Sequence, residues 1–580
     1  MFASMLALTG TQFGQIVSVI IAGRLLESAA LPVMAVAQPI LPMFSAVGAL
    51  LGAGGTVVCA RAIGAGPFDE SRRIVTVIYL HIIIVAASAL ILLFFIDPLV
   101  HFLGAGPEIF EDARRYVSIL IRGGVFFISI HPVYCLLRLD GRTGTAAAVF
   151  FIQALVTITL DMVLLRVLRR GVESVALATT VGAAVSTLSG AVLLFRGSKN
   201  FNITFSVFNK IYRAGVSGIT RSIIAAGSPS AVEYVCILGY SVTLNKLISG
   251  SFGLLALSCF KLLDSLNSVV QIFIYAVAGP IIQFAGVFSA EKDSKSIFQL
   301  LSQVFKWGIL FTFVFMAGCE LFAPSLARLF GMVSPESMTA AVSAMRIFAL
   351  FFIPAMINSI MISIYQAENL VLPANVLTIS RMFLWIVTAS LLMARWIGVN
   401  GIWHSFWIAE VLSFLSAAGI SFFYRLKNNY LSPLFLVNRE AELKGVYKSF
   451  SVKNSTEDIT HSSAGITEFC DKNRLGAKLT MAISLAIEEM LVVIRSRSLT
   501  GNDSATMNVR VLIEEKTVIL RVRNGGKNFS PLDYVKNAGA AEEADVMGIK
   551  MILTLASNVD YRNTFGINNT TILLERLTAA

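Results

Sequence analysis

Between residues 2 and 424 the chain is a succession of apolar runs, parted by short polar or charged stretches. A helix needs about twenty apolar residues to cross the hydrocarbon layer. Only helices and closed barrels satisfy their backbone groups there. Runs of that length fall near 2–22, 33–62, 74–96, 116–138, 143–168 and 172–195. After a basic connector with Arg196, Lys199, Lys210 and Arg213, six more fall near 222–248, 252–288, 300–323, 340–366, 370–394 and 399–424. The reading is an all-α polytopic membrane protein with twelve transmembrane helices in two six-helix lobes. Composition agrees: 56% of residues are hydrophobic and 14% charged, far from the usage of soluble domains. Apolar residues follow Met1 almost at once, without a basic leader or an A-x-A-like cleavage site, so the first run is expected to be retained.

The net charge of +11 does not point to nucleic acid, because Lys and Arg collect in short loops between the apolar runs. Arg61, Arg72 and Arg73, then Arg138 and Arg142, then the connector mark the even-numbered loops as cytoplasmic. Both chain ends are therefore expected inside a plasma-membrane protein, although Arg166, Arg169 and Arg170 lie on the other side. The six cysteines show no paired spacing and the five histidines are scattered, so neither a disulfide framework nor a metal site is expected.

Against this apolar background a few polar residues stand out. Gln153, Thr157 and Asp161 fall at i, i+4 and i+8, on one face of the fifth helix. A carboxylate inside the hydrocarbon layer is costly and usually faces a bundle interior or a water-filled path. Asp161 is a candidate ion or substrate ligand; the alternatives are solvation near the helix end or pairing with Arg166 or Arg169. Glu233, in the seventh run, is a second candidate, with pairing to Lys246 or Lys261 as its alternative. Asn358, Gln366, Glu368 and Glu410 are weaker candidates in the tenth to twelfth runs; a loop position is expected for Glu368 and a helix–helix bond for Glu410. The halves also echo each other: Gly171-Val172 and Gly398-Val399 each precede the last run of their set. Such internal repeats suit alternating access, in which one bundle rocks against the other around a midplane site.

The segments GRLLESAALPVMAVAQPI, GAGGTVVCARAIGAG, LDMVLLRVLRRGVESVALAT, GSPSAVEYV and GVNGIWHSFWIAE resemble the multidrug and toxic compound extrusion (MATE) transporters, over roughly residues 5 to 425. The resemblance implies two lobes forming a V and proton- or sodium-coupled export of organic cations or amphipathic compounds. It places Asp161 at the acid that ends the fifth-helix motif and Glu233 at a polar position of the seventh helix. Ser18 stands where many relatives carry an acid, and Thr157 or Thr159 where they carry Asn. A flippase for lipid-linked or polysaccharide precursors and a membrane-anchored signalling protein are the alternatives.

Beyond Tyr424 the composition changes to that of a soluble α/β domain. The divisions are 1–213 and 214–426 for the lobes, 427–440 for a linker and 441–580 for the tail. A helix is expected over Thr480–Ile494, a strand, turn and strand over Met507–Arg523, a helix starting near Val546 and a hairpin over Val559–Leu577. LAIEEML, RVRNGGKNFSP and VMGIKMI resemble the GHKL ATPase fold of anti-sigma-factor serine kinases. That resemblance implies an α/β sandwich with ATP and magnesium, and places Glu489, Asn524, Gly526 and Gly548 at its nucleotide site. Val493 replaces the magnesium-holding Asn and Asn524 the adenine-reading Asp, so a degraded site in a regulatory domain is expected, with a cytoplasmic regulatory protein as its partner.

Overall fold

The computed structural model describes residues 2–26, 30–65, 68–140, 142–197, 216–290, 292–499, 505–537, 547–564 and 567–576. Lys199, Lys210 and Arg213 of the basic connector lie outside the described residues. Cα packing divides the chain into two units. The first comprises Met1–Val287, Ser296–Tyr424 and Pro433–Leu436. The second comprises Phe288–Lys295, Arg425–Ser432 and Val437–Ala580. It thus takes in a short segment that the sequence places inside the second lobe.

The first unit is helical. It opens with α1 (Phe2–Leu25), α2 (Ala30–Ala37), α3 (Ile40–Ala65), α4 (Phe68–Ala89) and α5 (Ile96–Leu103). These are followed by α6 (Phe110–Arg122), α7 (Gly124–Leu139), α8 (Thr143–Asp161) and α9 (Glu173–Gly197). The later part runs through α10 (Val216–Ala290), α11 (Ser294–Leu329), α12 (Pro335–Ala349), α13 (Phe352–Ala367), α14 (Val371–Ile379), α15 (Trp385–Ile397) and α16 (Val399–Lys427). Among the described residues eight helices are long and apolar enough to cross a membrane, or ten if each of two bent pairs is one span. Two features separate this count from the expected twelve. The first helix stays outside the count, since only Gly14–Leu25 of it registers, as a shorter apolar helix. Ser230–Ala278, 49 residues, is counted as one span. At 1.5 Å per residue a straight α10 would be roughly 110 Å long. It is broken at Gly253, whose φ of +78° and ψ of −173° only glycine adopts readily.

Large apolar side chains cover the outside of this unit. Phe94 is 87% exposed and Leu321 75%, which suits a surface solvated by lipid rather than water. The chain is a multi-pass membrane protein. Its irregularities recur in the same order. Pro107–Arg122 and Gly124–Leu139 meet at a 46° bend, followed by a π-helical turn, Met162–Val167, and then the unbent α9. Pro335–Ala349 and Phe352–Ala367 meet at 40°, followed by a π-helical turn, Ser380–Leu384, and then α16. Single π turns in α-helices are uncommon and concentrate at functional positions.

The second unit carries α17 (Glu440–Lys444), β1 (Val446–Lys453), α18 (Thr456–Lys472), α19 (Ala477–Arg497), β2 (Thr506–Ile513), β3 (Thr517–Asn524), α20 (Pro531–Asn537), α21 (Met547–Leu555), β4 (Ala556–Thr564) and β5 (Ile567–Glu575). Its strands form one antiparallel sheet in the order β1-β2-β3-β5-β4. Alternate residues face a helical layer: Val509, Val511, Leu520, Val522 and Ile572 join Ile466, Ile483, Ile487, Met490 and Ile552 in one core. Ser455 caps α18 by accepting the Asp458 N–H. The other face is charged. Arg510 and Arg521 stand directly opposite on β2 and β3, a like-charge pair that is destabilising unless an anion covers it. Asp293, from the turn between α10 and α11, supplies that anion: one carboxylate oxygen accepts from Arg510, the other from Arg521 at 2.5 Å and Arg523 at 3.3 Å. Glu442 takes a further Arg510 nitrogen at 2.8 Å. Burial pulls Arg521 and Arg523 down to about 10, still cationic at physiological pH.

Candidate functional site

Asp161 closes α8 and immediately precedes the π turn. It is fully buried. Its Oδ2 accepts a hydrogen bond from Ser18 Oγ of α1, while its Oδ1 has no hydrogen-bond partner among the described residues. No ion pair among the described residues neutralises it, and Arg166, Arg169 and Arg170 are exposed. The alternative of pairing with Arg166 or Arg169 is therefore not what the structure shows. Gln153 and Thr157 continue the polar face: Thr157 is buried, and the buried Oε1 of Gln153 likewise has no partner.

Glycines on the neighbouring helices hold this face tightly. A Cβ on Gly14 of α1 would sit 2.9 Å from Ala154 Cβ. A Cβ on Gly182 of α9 would lie 3.0 Å from the Gln153 carbonyl oxygen and collide with Thr157 Oγ1. Small residues let transmembrane helices approach this closely. The result is a polar ladder between α1, α8 and α9, ending in a carboxylate with one oxygen unengaged among the described residues. Such a group can take up a proton, a small cation or a cationic substrate.

Glu233, on α10, is partly buried. The two lysines offered as its partners are engaged elsewhere: Lys261 pairs with Asp264 at 3.0 Å, and the Lys246 ammonium lies 3.8 Å from the centre of the Phe102 ring. Asn358 belongs to another constellation, near the second π turn. Its amide nitrogen donates to the Glu410 carbonyl at 2.8 Å and to Glu410 Oε2 at 2.6 Å. Arg381 Nε donates to Glu410 Oε1 at 2.5 Å, and Arg381 Nη1 to Ser359 Oγ at 2.9 Å. All four residues are buried. Glu410 thus makes the expected helix–helix bond, and Glu368 lies in the turn after α13. Arg381 is the member that sequence reasoning missed, although an arginine ten residues into an apolar run was a signal.

In the second unit the four expected nucleotide-site residues form two pairs. Both oxygens of Glu489 accept backbone N–H groups, from Gly548 at 2.8 Å and Ile549 at 2.9 Å. This carboxylate caps α21 and complements its dipole. Gly548 has no room for a side chain, since a Cβ would lie 2.9 Å from the Leu485 backbone. Asn524 donates its amide nitrogen to Ser498 Oγ at 2.7 Å, and Gly526 packs on the same serine. Val493, at the position expected for a magnesium ligand, is buried. Among the described residues these four take part in packing and capping. Among the described residues no group of three or more His, Cys, Asp or Glu could hold a metal ion.

Comparison with known proteins adds the fold. The MatE family model matches residues 3–163, which contain α1, α8 and the ladder. A solved inward-facing multidrug resistance MATE family transporter of the MOP superfamily superposes with a TM-score of 0.65 at 21% identity, over 72% of this chain and 95% of that one. The MATE multidrug transporter DinF-BH, solved as a complex, gives 0.60 at 19%, over 75% and 95%. A MOP superfamily transporter from Pyrococcus furiosus Vc1, described as having a binding pocket of reverse polarity, gives 0.59 at 21%, over 74% and 95%. No curated protein matches the chain. The helical part therefore has the fold of MATE transporters, and the chain extends well beyond that fold.

Proposed function

We propose that this chain is a MATE-type secondary transporter of the plasma membrane. Twelve helices in two lobes, 1–213 and 214–426, export organic cations or amphipathic compounds by alternating access, driven by a proton or sodium gradient. The observation that carries this reading is Asp161: a carboxylate fully buried in a membrane helix, hydrogen-bonded on one oxygen only and, among the described residues, not neutralised by a cation. In such a place an acid is costly unless it binds a cation or a proton during the cycle. The matched irregularities at 107–197 and 335–427 support two repeats moving against each other. The tail, 441–580, is a cytoplasmic regulatory domain with both chain ends inside, and a cytoplasmic protein is its partner; its capping and packing contacts speak for docking rather than phosphoryl transfer.

The test is efflux of the lipophilic cation tetraphenylphosphonium from cells expressing the intact chain or Asp161→Asn. Asparagine keeps the shape and the Ser18 contact but not the charge. Efflux at least tenfold faster than in empty cells is expected for the intact chain and its loss for the variant, with equal membrane insertion of both. Equal efflux by both would remove Asp161 from the pathway.

A further inference from the structure

Two membrane-embedded acids, Asp161 and Glu410, are held differently, and the difference bears on coupling. Asp161 has a hydroxyl partner on one oxygen and, among the described residues, none on the other. Glu410 has both oxygens engaged, one by the Arg381 guanidinium. Arg381 lies within the π turn of the span 371–397, and it is only 5% exposed. Around its guanidinium stand the oxygens of Glu410 and Ser359. Asn358, held to Glu410 by its amide nitrogen, keeps a buried Oδ1 with no hydrogen-bond partner among the described residues, and the buried Arg381 Nη2 likewise has none among them. Carboxylate and hydroxyl oxygens are ligands that hard cations select.

We propose that Arg381 is a resident cation filling an oxygen-lined cation site in the second lobe, so that mobile-cation binding is confined to Asp161 in the first. This deepens the coupled-transport reading and rests on it for its functional meaning. Arg381 and Glu410 form an ion pair, whereas Asp161 has no ion-pair partner among the described residues. A mobile cation entering the second lobe would have to displace a tethered guanidinium held by two charge-assisted hydrogen bonds, one of them to a carboxylate. Arg381 is accordingly a specificity-determining residue: it sets how many cations the transporter can bind.

The experiment is equilibrium binding of radioactive sodium to the intact, detergent-purified protein, compared with Arg381→Ala, Arg381→Ala/Glu410→Gln, the neutral pair Arg381→Gln/Glu410→Gln, and Asp161→Asn. Arg381→Ala is expected to bind one sodium more per chain than the unaltered protein, and the added Glu410→Gln to remove it. The neutral pair, which leaves no unpaired charge if Arg381→Ala proves unstable, is expected to bind as the unaltered protein does. A loss of sodium binding in the neutral pair would overturn the proposal, because Glu410 would then already serve a mobile cation. So would a folded Arg381→Ala protein that gains no site. Asp161→Asn is a separate arm: sodium binding unchanged there would overturn the confinement of mobile-cation binding to Asp161, and with it Asp161 as the coupling residue, whereas failure of the Arg381 comparison alone would leave the coupled-transport reading standing.

Discussion

At the scale of single residues, the chain spends its rare polar side chains where helices touch. Gly182 illustrates how little room is left: a side chain there meets Thr157 and the Gln153 carbonyl. Gly182→Val is expected to destabilise the first unit by about 1–3 kcal/mol, the cost of overpacking, and to lower its melting temperature in detergent; Gly144→Ala, with open space around it, serves as the neutral control. The ladder of Gln153, Thr157 and Asp161 was legible in the sequence because helical spacing alone puts the three on one face. Ser18 was flagged by the resemblance, and the structure brings its hydroxyl to Asp161. Arg381 was not legible. Its role depends on Asn358 and Glu410, 23 residues before it and 29 after, and on a π turn that no residue pattern announces. Glu489 shows the converse: its position was read correctly within a helix, yet its carboxylate caps α21, a use that depends on the backbone of a helix 59 residues away.

At the scale of elements, the sheet of the second unit reads well from its pattern on one face and badly on the other. Alternation in MNVRVLIEEKTVILRVR gave β2 and β3, but arginine on the polar face of a strand ordinarily means solvent. Here Arg510, Arg521 and Arg523 are buried under Asp293. Removing one partner of a buried ion pair costs about 3–5 kcal/mol, so Asp293→Ala is expected to destabilise the second unit by about that amount. Hydrogen exchange should show it as lost protection in β2 and β3, with the α8 ladder unchanged; unaltered exchange in both strands would refute the role given to Asp293. The helical face offers a pH test. Burial pushes the Cys470 thiol up to about 12, with the Asp471 carboxylate adding to it. A group whose folded value is raised stabilises fully below its unfolded value and loses that contribution as pH rises towards the folded one. Stability of the second unit is therefore expected to fall between about pH 9 and 12 more steeply than in Cys470→Ala, as read by urea unfolding at each pH. Parallel curves would assign the loss to other groups.

At the scale of the whole molecule, the solved transporters it resembles are covered over 95% of their length by some three quarters of this chain. The membrane part was legible because a bilayer imposes a single length and a single polarity on every span. The number of spans was less so, since one helix is long enough for two and is divided only at Gly253. In the proposed cycle a cation bound at Asp161 and a cationic substrate cross the membrane in opposite directions. The most direct test reconstitutes the intact protein in liposomes and follows tetraphenylphosphonium under a proton or a sodium gradient, imposed first in one direction and then in the other at clamped membrane potential. Net flux that reverses with one of the two gradients, and vanishes in Asp161→Asn, is the predicted result. Flux indifferent to the direction of both gradients, or unchanged by the substitution, would contradict it.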